Sequence, residues 1–291
     1  MAAPAPTLGR VSVLLALLAS LLWGTSDFLG GTASRRSPVA SVLGLSQLVA
    51  LVALVPVVVL AGELGADRAY VLPGVLAGLI GMTSLACFYR ALSLGTMGVV
   101  APIASLGVGV PVVAGLVTGE SPSAVQVLGI AVAVVGVVLA SGPELRGESG
   151  LQPLLLAAVA GVGFGGVFVL VAEGAESSTG MTLLTMRATS VTVLTVLFLA
   201  LLHRRGSGLG VPRSATVMVV AIGLGDVAAN GAYGLATTQG GALLSVTSVL
   251  ASLYPVVTVL LAREVHGERL RRVQVAGVAG ALLGVGLLAG G

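Results

Sequence analysis

Ser141-Gly-Pro-Glu-Leu-Arg-Gly-Glu-Ser-Gly150 is a polar stretch that divides this sequence of 291 residues into two halves. Each half contains five apolar segments, and a helix needs roughly 20 mostly apolar residues to cross a bilayer. The sequence therefore predicts ten membrane-spanning helices, five on each side of the polar stretch. They lie near residues 11–31, 39–62, 70–93, 96–118, 124–141, 151–172, 180–203, 214–237, 240–263 and 272–290.

The composition agrees with a protein that lies in a membrane. Hydrophobic residues make up 56% of the chain and charged residues 9%, and the mean hydropathy is +1.11. A soluble domain of this size could not bury so much apolar surface. In lipid, backbone polar groups must be bonded within the protein, and the alternating pattern of a barrel strand is absent. We therefore expect an all-α polytopic protein of the cell membrane, surrounded by the lipid bilayer.

The basic residues are distributed as in a membrane protein. All 14 are arginines, mostly in short loops, and no aromatic-interleaved basic patch is present, so we expect no nucleic-acid partner. Loop arginines usually mark the cytoplasmic side. Arg10 and Arg68 lie on the side of both predicted termini, so the bias predicts termini outside the cell. The opposite side has Arg35, Arg36, Arg146, Arg204, Arg205, Arg213, Arg269, Arg271 and Arg272.

The second half of the sequence repeats the first. Because several independent landmarks recur at nearly constant spacings, we predict two repeats, 1–141 and 151–291, joined by a linker at 142–150. The matching pairs are Tyr89 with Tyr233 and Pro111 with Pro255 at a spacing of 144, Trp23-Gly24 with Phe164-Gly165 at 141, and Gly119-Glu120 with Gly267-Glu268, Gln126 with Gln274, Gly129 with Gly277 and Gly136 with Gly284 at 148.

The predicted repeats have opposite orientations in the membrane. Since each has an odd number of spans, the second must enter from the side opposite to the first. Inverted repeats of this kind typically enclose a site near the middle of the bilayer and expose it to each side in turn. Pro102, Pro111 and Pro255 lie within the fourth and ninth spans and remove helical hydrogen bonds there. We expect kinks that face this site, with substrate binding by the freed carbonyls as the alternative.

Four stretches resemble one protein family. They are Leu22-Trp-Gly-Thr-Ser-Asp-Phe-Leu-Gly-Gly31, Tyr89-Arg-Ala-Leu-Ser-Leu-Gly95, Ser252-Leu-Tyr-Pro-Val-Val-Thr258 and Gly267-Glu-Arg-Leu270. With them the chain resembles, over nearly its whole length, the EamA family of the drug/metabolite transporter (DMT) superfamily. The resemblance implies a ten-helix carrier that moves small metabolites, amino acids or drugs, often outward. It also implies a central cavity lined mainly by spans one, three, four, six, eight and nine, and termini inside the cell, against the arginine bias.

Charged residues within the apolar segments are the strongest candidates for function, because a charge at the bilayer centre costs about 2.5–3.5 kcal/mol on insertion scales. Asp226 lies near the middle of the eighth span, with Asn230 and Tyr233 on the same helical face. Arg187, in the antiparallel seventh span, lies about 6 Å from the level of Asp226 at ~1.5 Å per residue. We therefore expect a contact between Arg187 and Asp226.

A second pair of opposite charges is expected nearer one side of the membrane. Asp27 and Arg90 lie close to the ends of the first and third spans, which emerge on the same side. We hypothesise that both ion pairs rearrange as the carrier changes access. The alternatives are static buried salt bridges, or headgroup contacts for Asp27 and Arg90. Asp226 is also a candidate to hold a proton for antiport, or the amine of a substrate.

Polar and aromatic side chains complete the expected site. Tyr89 and Tyr233 are equivalent in the repeats and could form opposite walls, with an interfacial aromatic belt as the alternative. Gln47 lies in the second span at about the position that Arg187 has in the seventh, which predicts an asymmetric site. The candidate substrate-binding residues are Trp23, Tyr89, Asp226, Asn230, Tyr233, Thr247, Ser248 and Tyr254, and the candidate gating residues are Asp27, Arg90, Arg187 and Asp226.

The sequence offers no catalytic or metal-binding constellation. His203 and His266 lie at loop edges, without a carboxylate pair or metal-ligand spacing. We therefore predict neither an enzyme nor a bound cofactor. The preferred function is a secondary carrier, and an exporter, for small organic molecules such as amino acids or drugs, working as a monomer. The alternative is a membrane scaffold or assembly subunit without transport activity.

Overall fold

The computed structural model describes residues 9–140, 151–205, 213–240, 242–266 and 271–290. These residues form helices joined by short turns, with no strand among them, which confirms the all-helical fold. In this part of the chain, seven helical stretches are long and apolar enough to cross a membrane, and two shorter apolar helices accompany them. The helices are α1 (Arg10–Ser34), α2 (Val39–Leu60), α3 (Val71–Leu94), α4 (Met97–Ser105), α5 (Gly109–Val117), α6 (Ala124–Ala140), α7 (Leu151–Arg205), α8 (Arg213–Thr237), α9 (Leu244–Ala251), α10 (Tyr254–His266) and α11 (Arg272–Gly290).

Helix α7 is 55 residues long because it consists of two helices that meet at a kink. The backbone of Ser178 is extended there, with φ −165° and ψ 118°. Glu63, which follows α2, accepts hydrogen bonds from the Ser178 hydroxyl and, at 2.8 Å, from the Gly180 N–H. A carboxylate in this position satisfies N–H groups that a helix start leaves free. The two parts of α7 coincide with the predicted sixth and seventh segments.

Two further predicted segments are broken near their middle. The 3-10 turn Leu106–Val108 separates α4 from α5, and residues 252–253 separate α9 from α10. Pro111 and Pro255 lie in the first turns of α5 and α10, where a missing N–H costs no helical hydrogen bond. The irregular backbone expected near Pro111 and Pro255 is therefore present, as helix breaks at equivalent positions of the two halves, whereas Pro102 lies inside α4.

A second carboxylate caps the start of α9. Glu120 accepts hydrogen bonds from the backbone N–H groups of Leu244 and, at 3.0 Å, Ser245. Gly115 makes room for this contact, since a side chain there would collide with the Glu120 carboxylate. Like Glu63, Glu120 belongs to the first half of the chain and caps a helix of the second half. The two carboxylates therefore join the halves through helix N-termini.

The starts of α6 and α11 share one capping arrangement. Gln126 accepts a hydrogen bond from the Ser123 N–H at 2.8 Å, and Gln274 accepts one from the Arg271 N–H at 2.8 Å. A glutamine side chain in the first turn accepts a hydrogen bond from an N–H group that has no acceptor within the helix. The two glutamines are 148 residues apart, so the repeat that is visible in the sequence extends to local structure.

Helices α6 and α11 also pack closely against each other through glycines. A side chain at Gly136 would collide with the backbone nitrogen of Ala281, and one at Gly284 would lie 2.6 Å from the backbone nitrogen of Ala133. Gly136 and Gly284 are equivalent at a spacing of 148, as are Ala133 and Ala281. The contact is therefore reciprocal, with each helix using the same residues against the other.

Many large apolar side chains face outward, while several polar side chains are buried inside the bundle. Leu14, Val52 and Leu60 are 66%, 64% and 88% exposed, as expected of a surface in contact with lipid. In contrast, Gln47 and Arg187 are buried. Polar groups inside an apolar bundle are costly, so their position marks the region where function is expected.

Candidate functional site

A cavity lies among α1, α2, α3, α7, α8 and α10. The space between its walls is about 540 Å³ with the open mouth included, and about 50 Å³ of this admits the centre of a water molecule. A water needs roughly 10–15 Å³ of such space, so the inner part has room for a few waters or one small polar group. The walls are Trp23, Asp27, Gln47, Gly81, Leu85, Phe164, Val167, Phe168, Met186, Arg187, Asp226, Asn230 and Tyr254.

Two glycines bring the aromatic walls close to the helix breaks. A side chain at Gly24 would lie 2.5 Å from the carbonyl oxygen of Tyr254, and one at Gly165 would collide with the carbonyl of Gly107. Each glycine directly follows an aromatic residue of the cavity, Trp23 or Phe164 in turn. The small residues therefore let α1 and the first part of α7 approach the broken segments and define the cavity between them.

Arg187 and Asp226 form an ion pair in this cavity. The Arg187 Nη2 atom lies 2.9 Å from the Asp226 Oδ2 atom, and the two side chains are 2% and 14% exposed. Arg187 also donates from Nη1 to the Gln47 Oε1 atom at 2.6 Å. The contact expected from helix depth is therefore present. Gln47, which the sequence marks only as the counterpart of Arg187, is a direct partner of the guanidinium.

Asp226 has further partners on two helices. Trp23 Nε1 donates to Asp226 Oδ1 at 3.2 Å. Asn230 Nδ2 donates to the same Oδ1 at 3.1 Å and to the Asp226 carbonyl at 2.8 Å. Together with Arg187 and Gln47, these side chains form one polar network that connects α1, α2, α7 and α8. Such a network satisfies buried groups that would otherwise be unpaired.

Asp27 lines the same cavity but has no such partner. It is 7% exposed, and no hydrogen bond or ion pair joins it to another of the described residues. The predicted Asp27–Arg90 pair is wrong, because Arg90 lies on the exposed surface of α3. Tyr89, the residue before it, is buried. Successive residues differ by about 100° around a helix, so matching depth did not bring Arg90 to the cavity.

Tyr233 supports the cavity wall from behind. Its ring centroid lies 5.9 Å from that of Trp23 and 4.8 Å from that of Phe168. Its hydroxyl donates to the Phe168 carbonyl at 3.1 Å, with the Ser248 hydroxyl 2.8 Å away on its other side. Tyr233 is therefore packed against residues of the cavity, with Ser248 behind it, and neither residue lines the cavity.

Two other sequence candidates also lie outside the cavity wall. Tyr89 packs against Gly30, where a side chain would collide with the tyrosine ring. Tyr89 and Tyr233 therefore do not form opposite walls, since both are enclosed by neighbouring helices. Thr247 is fully buried within α9, and its hydroxyl has no hydrogen-bond partner among the described residues.

Tyr254 does line the cavity, as predicted, at the start of α10. It is 4% exposed, and its hydroxyl has no hydrogen-bond partner in the described part of the chain. The ring lies edge-on to Phe88, with 6.5 Å between centroids. The hydroxyl of Tyr254 is therefore an unused polar group in the cavity wall.

The helices that form the cavity differ in part from those implied by the resemblance. Helix α2 contributes Gln47 and the second part of α7 contributes Met186 and Arg187, whereas α4 and α5 contribute none of the walls. Phe164 and Phe168 were not among the sequence candidates. The repeat could have identified Phe164, because it occupies the position equivalent to Trp23. Among the described residues, no group of three or more His, Cys, Asp or Glu could hold a metal ion.

Comparisons with known proteins agree with this architecture. The model of the EamA-like transporter family matches the chain twice, over residues 10–142 and 151–290. One solved crystal structure of a protein has a similar fold, with a TM-score of 0.73, 20% sequence identity, and 95% of each chain covered. A comparison with curated proteins found no match. Since two copies of the family model account for nearly all of its length, the chain belongs to the EamA-like transporter family.

Proposed function

We propose that the chain is a secondary carrier of the cell membrane, which moves a small organic molecule by alternating access between two inverted five-helix repeats. Its family consists of membrane transporters of the DMT type rather than enzymes. The observation that carries the proposal is the polar network around Asp226 at the cavity. A buried charged network is costly in lipid, and a static scaffold has no need of one. Amino acids and drugs are the proposed substrate range.

Helix packing supports the inversion of the repeats. Gly129 of α6 faces Leu288 of α11, and Gly136, further along α6, faces Ala281, earlier in α11. Residue numbers therefore rise along one helix as they fall along the other, so the two helices are antiparallel. They are the predicted fifth and tenth segments, which are equivalent in the two repeats. Equivalent helices that are antiparallel are expected of an inverted duplication.

The polar network supports a role for the repeat interface. Trp23 and Gln47 belong to the first repeat, and Arg187, Asp226 and Asn230 belong to the second. Relative motion of the repeats would therefore change hydrogen bonds to Arg187 and Asp226. We propose that this ion pair acts in gating and that Asp226 holds a proton or part of the substrate during the cycle. Inverted halves in a single chain are consistent with a monomeric carrier.

Export is the proposed direction, by family resemblance. The arginine bias and that resemblance predict opposite orientations of the chain in the membrane. The orientation must therefore be measured together with the direction of transport. A tag is fused to the N-terminus of the protein and labelled in whole cells, with and without permeabilisation. Labelling without permeabilisation means that this terminus lies outside the cell. Flux measured in right-side-out and everted vesicles then gives the direction of net transport.

Flux through purified protein in proteoliposomes tests the proposed function. A panel of amino acids, amines and uncharged metabolites should include at least one compound that moves faster than in empty liposomes. Asp226→Asn should abolish this flux at unchanged protein content. Glu173→Gln, which changes an exposed carboxylate of α7, should leave it intact. Wild-type flux in Asp226→Asn would remove Asp226 from the mechanism, and absence of flux for the whole panel would favour the scaffold alternative.

A further inference from the structure

Two carboxylates line the cavity, and only one of them has a counter-ion. Asp226 is paired with Arg187 and accepts hydrogen bonds from Trp23 and Asn230. Asp27 is 7% exposed and faces the same space, yet it has neither an ion pair nor a hydrogen bond with any described residue. Buried carboxylates are ordinarily paired or hydrogen-bonded. Asp27 therefore leaves a vacant position for a positively charged or hydrogen-donating partner.

The charges of the cavity favour a cation at this position. The formal charges of Arg187 and Asp226 cancel, so ionised Asp27 gives the cavity a net charge of −1. The Arg187 Nε atom also lacks a hydrogen bond among the described residues. However, the guanidinium charge is already balanced by Asp226, so it adds no net attraction for an anion. A ligand with one positive charge would make the cavity neutral, which lowers the cost of burying Asp27 in the bilayer interior.

The remaining walls have the chemistry of an ammonium site. Trp23, Phe164, Phe168 and Tyr254 present aromatic rings to the cavity, and aromatic faces attract ammonium groups. The Tyr254 hydroxyl is unpartnered, so its oxygen can accept a hydrogen bond. A primary ammonium has three N–H donors, one or two for Asp27 and one for Tyr254. Unused acceptors and aromatic rings thus line the same cavity.

We propose that the substrate is an organic amine, whose ammonium group binds the Asp27 carboxylate and the Tyr254 hydroxyl while its apolar body lies against the aromatic walls. The proposal rests on the proposed transport function and names the substrate class for that site. It differs from a site for amino acids in one respect. A substrate carboxylate would compete with Asp226 for Arg187 and add a negative charge to the cavity, whereas an ammonium group neutralises the charge of Asp27.

Four ligands with the same aromatic body test the charge preference. They are 2-phenylethylammonium, 2-phenylethanol, 3-phenylpropionate and phenylalanine, titrated calorimetrically into the full chain in detergent micelles. The ammonium ligand should bind at least about tenfold more tightly than the alcohol, the value of one hydrogen-bonded charge pair, and the carboxylate should not bind. Binding of the alcohol or the carboxylate as tight as that of the amine, tighter binding of phenylalanine, or no binding of the amine would overturn the proposal.

Variants of Asp27 locate the binding site. Asp27→Asn should weaken binding of 2-phenylethylammonium about tenfold and leave that of 2-phenylethanol unchanged, while Asp27→Glu keeps the charge and most of the affinity. Glu173→Gln is the control. Trp23 is the single tryptophan of the chain and lies one helical turn from Asp27, so ligand binding should change its fluorescence. Unchanged amine affinity in a folded Asp27→Asn protein would contradict the assignment.

These measurements separate the substrate class from the transport function. Binding is measured without a membrane gradient and does not depend on turnover. If proteoliposomes transport an uncharged or anionic compound and the amine fails to bind, the carrier function stands and the ammonium site is wrong. If the amine binds at Asp27 but no compound is transported, the site stands and the carrier function is wrong.

Discussion

Arg187 and Gln47 lie in the seventh and second predicted segments, which are counterparts in the two repeats, and they contact each other at 2.6 Å. The contact therefore joins the two repeats where these counterpart segments meet. Two arginines would repel each other there, whereas an amide oxygen accepts a charge-assisted hydrogen bond. The contact therefore depends on an amide side chain, rather than a second cation, at Gln47.

Replacement of Gln47 tests the importance of this hydrogen bond for folding. Gln47→Leu removes the acceptor of Arg187 Nη1, so we expect a loss of about 1.5–3 kcal/mol in the free energy of unfolding. Denaturant titration in detergent, followed by circular dichroism, measures this loss. Gln239→Leu is the control, because its side chain lies just after α8 and, among the described residues, bonds only to the Leu235 carbonyl of that helix. Equal effects of the two variants would mean that the Gln47 contact contributes nothing specific.

A double-mutant cycle separates a structural role of the ion pair from a role in transport. Arg187→Met or Asp226→Leu alone leaves one buried charge uncompensated, and each should destabilise the protein by about 3–5 kcal/mol. The double variant should recover most of this stability, because neither charge remains. We nevertheless expect no flux from it in proteoliposomes. Wild-type flux in the double variant would show that the pair is a static salt bridge.

Helix depth could be predicted from the sequence, but the direction of each side chain could not. Counting residues placed Arg187 and Asp226 at compatible depths, and their contact is present. The same counting matched Asp27 with Arg90, which lies on the outside of α3. Depth follows from the rise per residue, whereas the facing direction depends on how each helix packs against its neighbours. Apolar segments have little polar periodicity to reveal that direction.

The repeat predicted local structure better than it predicted the cavity. Gln126 and Gln274 have the same capping role, as their spacing suggests. Tyr89 and Tyr233 are also equivalent, yet neither lines the cavity. A helix cap is determined by residues within one turn, so it recurs wherever those residues recur. A cavity wall depends on contacts between helices of both repeats, and those differ where the repeats have diverged.

Substitutions of glycine test the close approach of α6 and α11. Gly136→Ala places a methyl group against the backbone of Ala281, which cannot move aside without shifting the helix. We expect a loss of about 1–3 kcal/mol in the free energy of unfolding. Gly286→Ala, at a position with open space around it in α11, should be neutral or slightly stabilising because alanine favours helix. Similar thermal stability of both variants would contradict this packing.

Removal of the carboxylate cap tests the connection between the start of α9 and the first repeat. Glu120→Ala leaves the N–H groups of Leu244 and Ser245 without their acceptor. We expect a loss of about 0.5–2 kcal/mol in stability, measured by thermal unfolding in detergent. Glu176→Ala, at an exposed position of α7, serves as the control. If both variants unfold at the same temperature as the parent, the cap does not stabilise the bundle.

The reciprocal seam between α6 and α11 has a consequence for how such a protein would move. If the two repeats exchange conformations during each transport cycle, each repeat adopts the conformation that the other repeat leaves. A contact in which each partner presents the same residues to the other looks identical before and after that exchange. We therefore expect the contact at Gly136 and Gly284 to stay unchanged during the cycle, while the cavity walls around Asp27 and Asp226 move relative to each other.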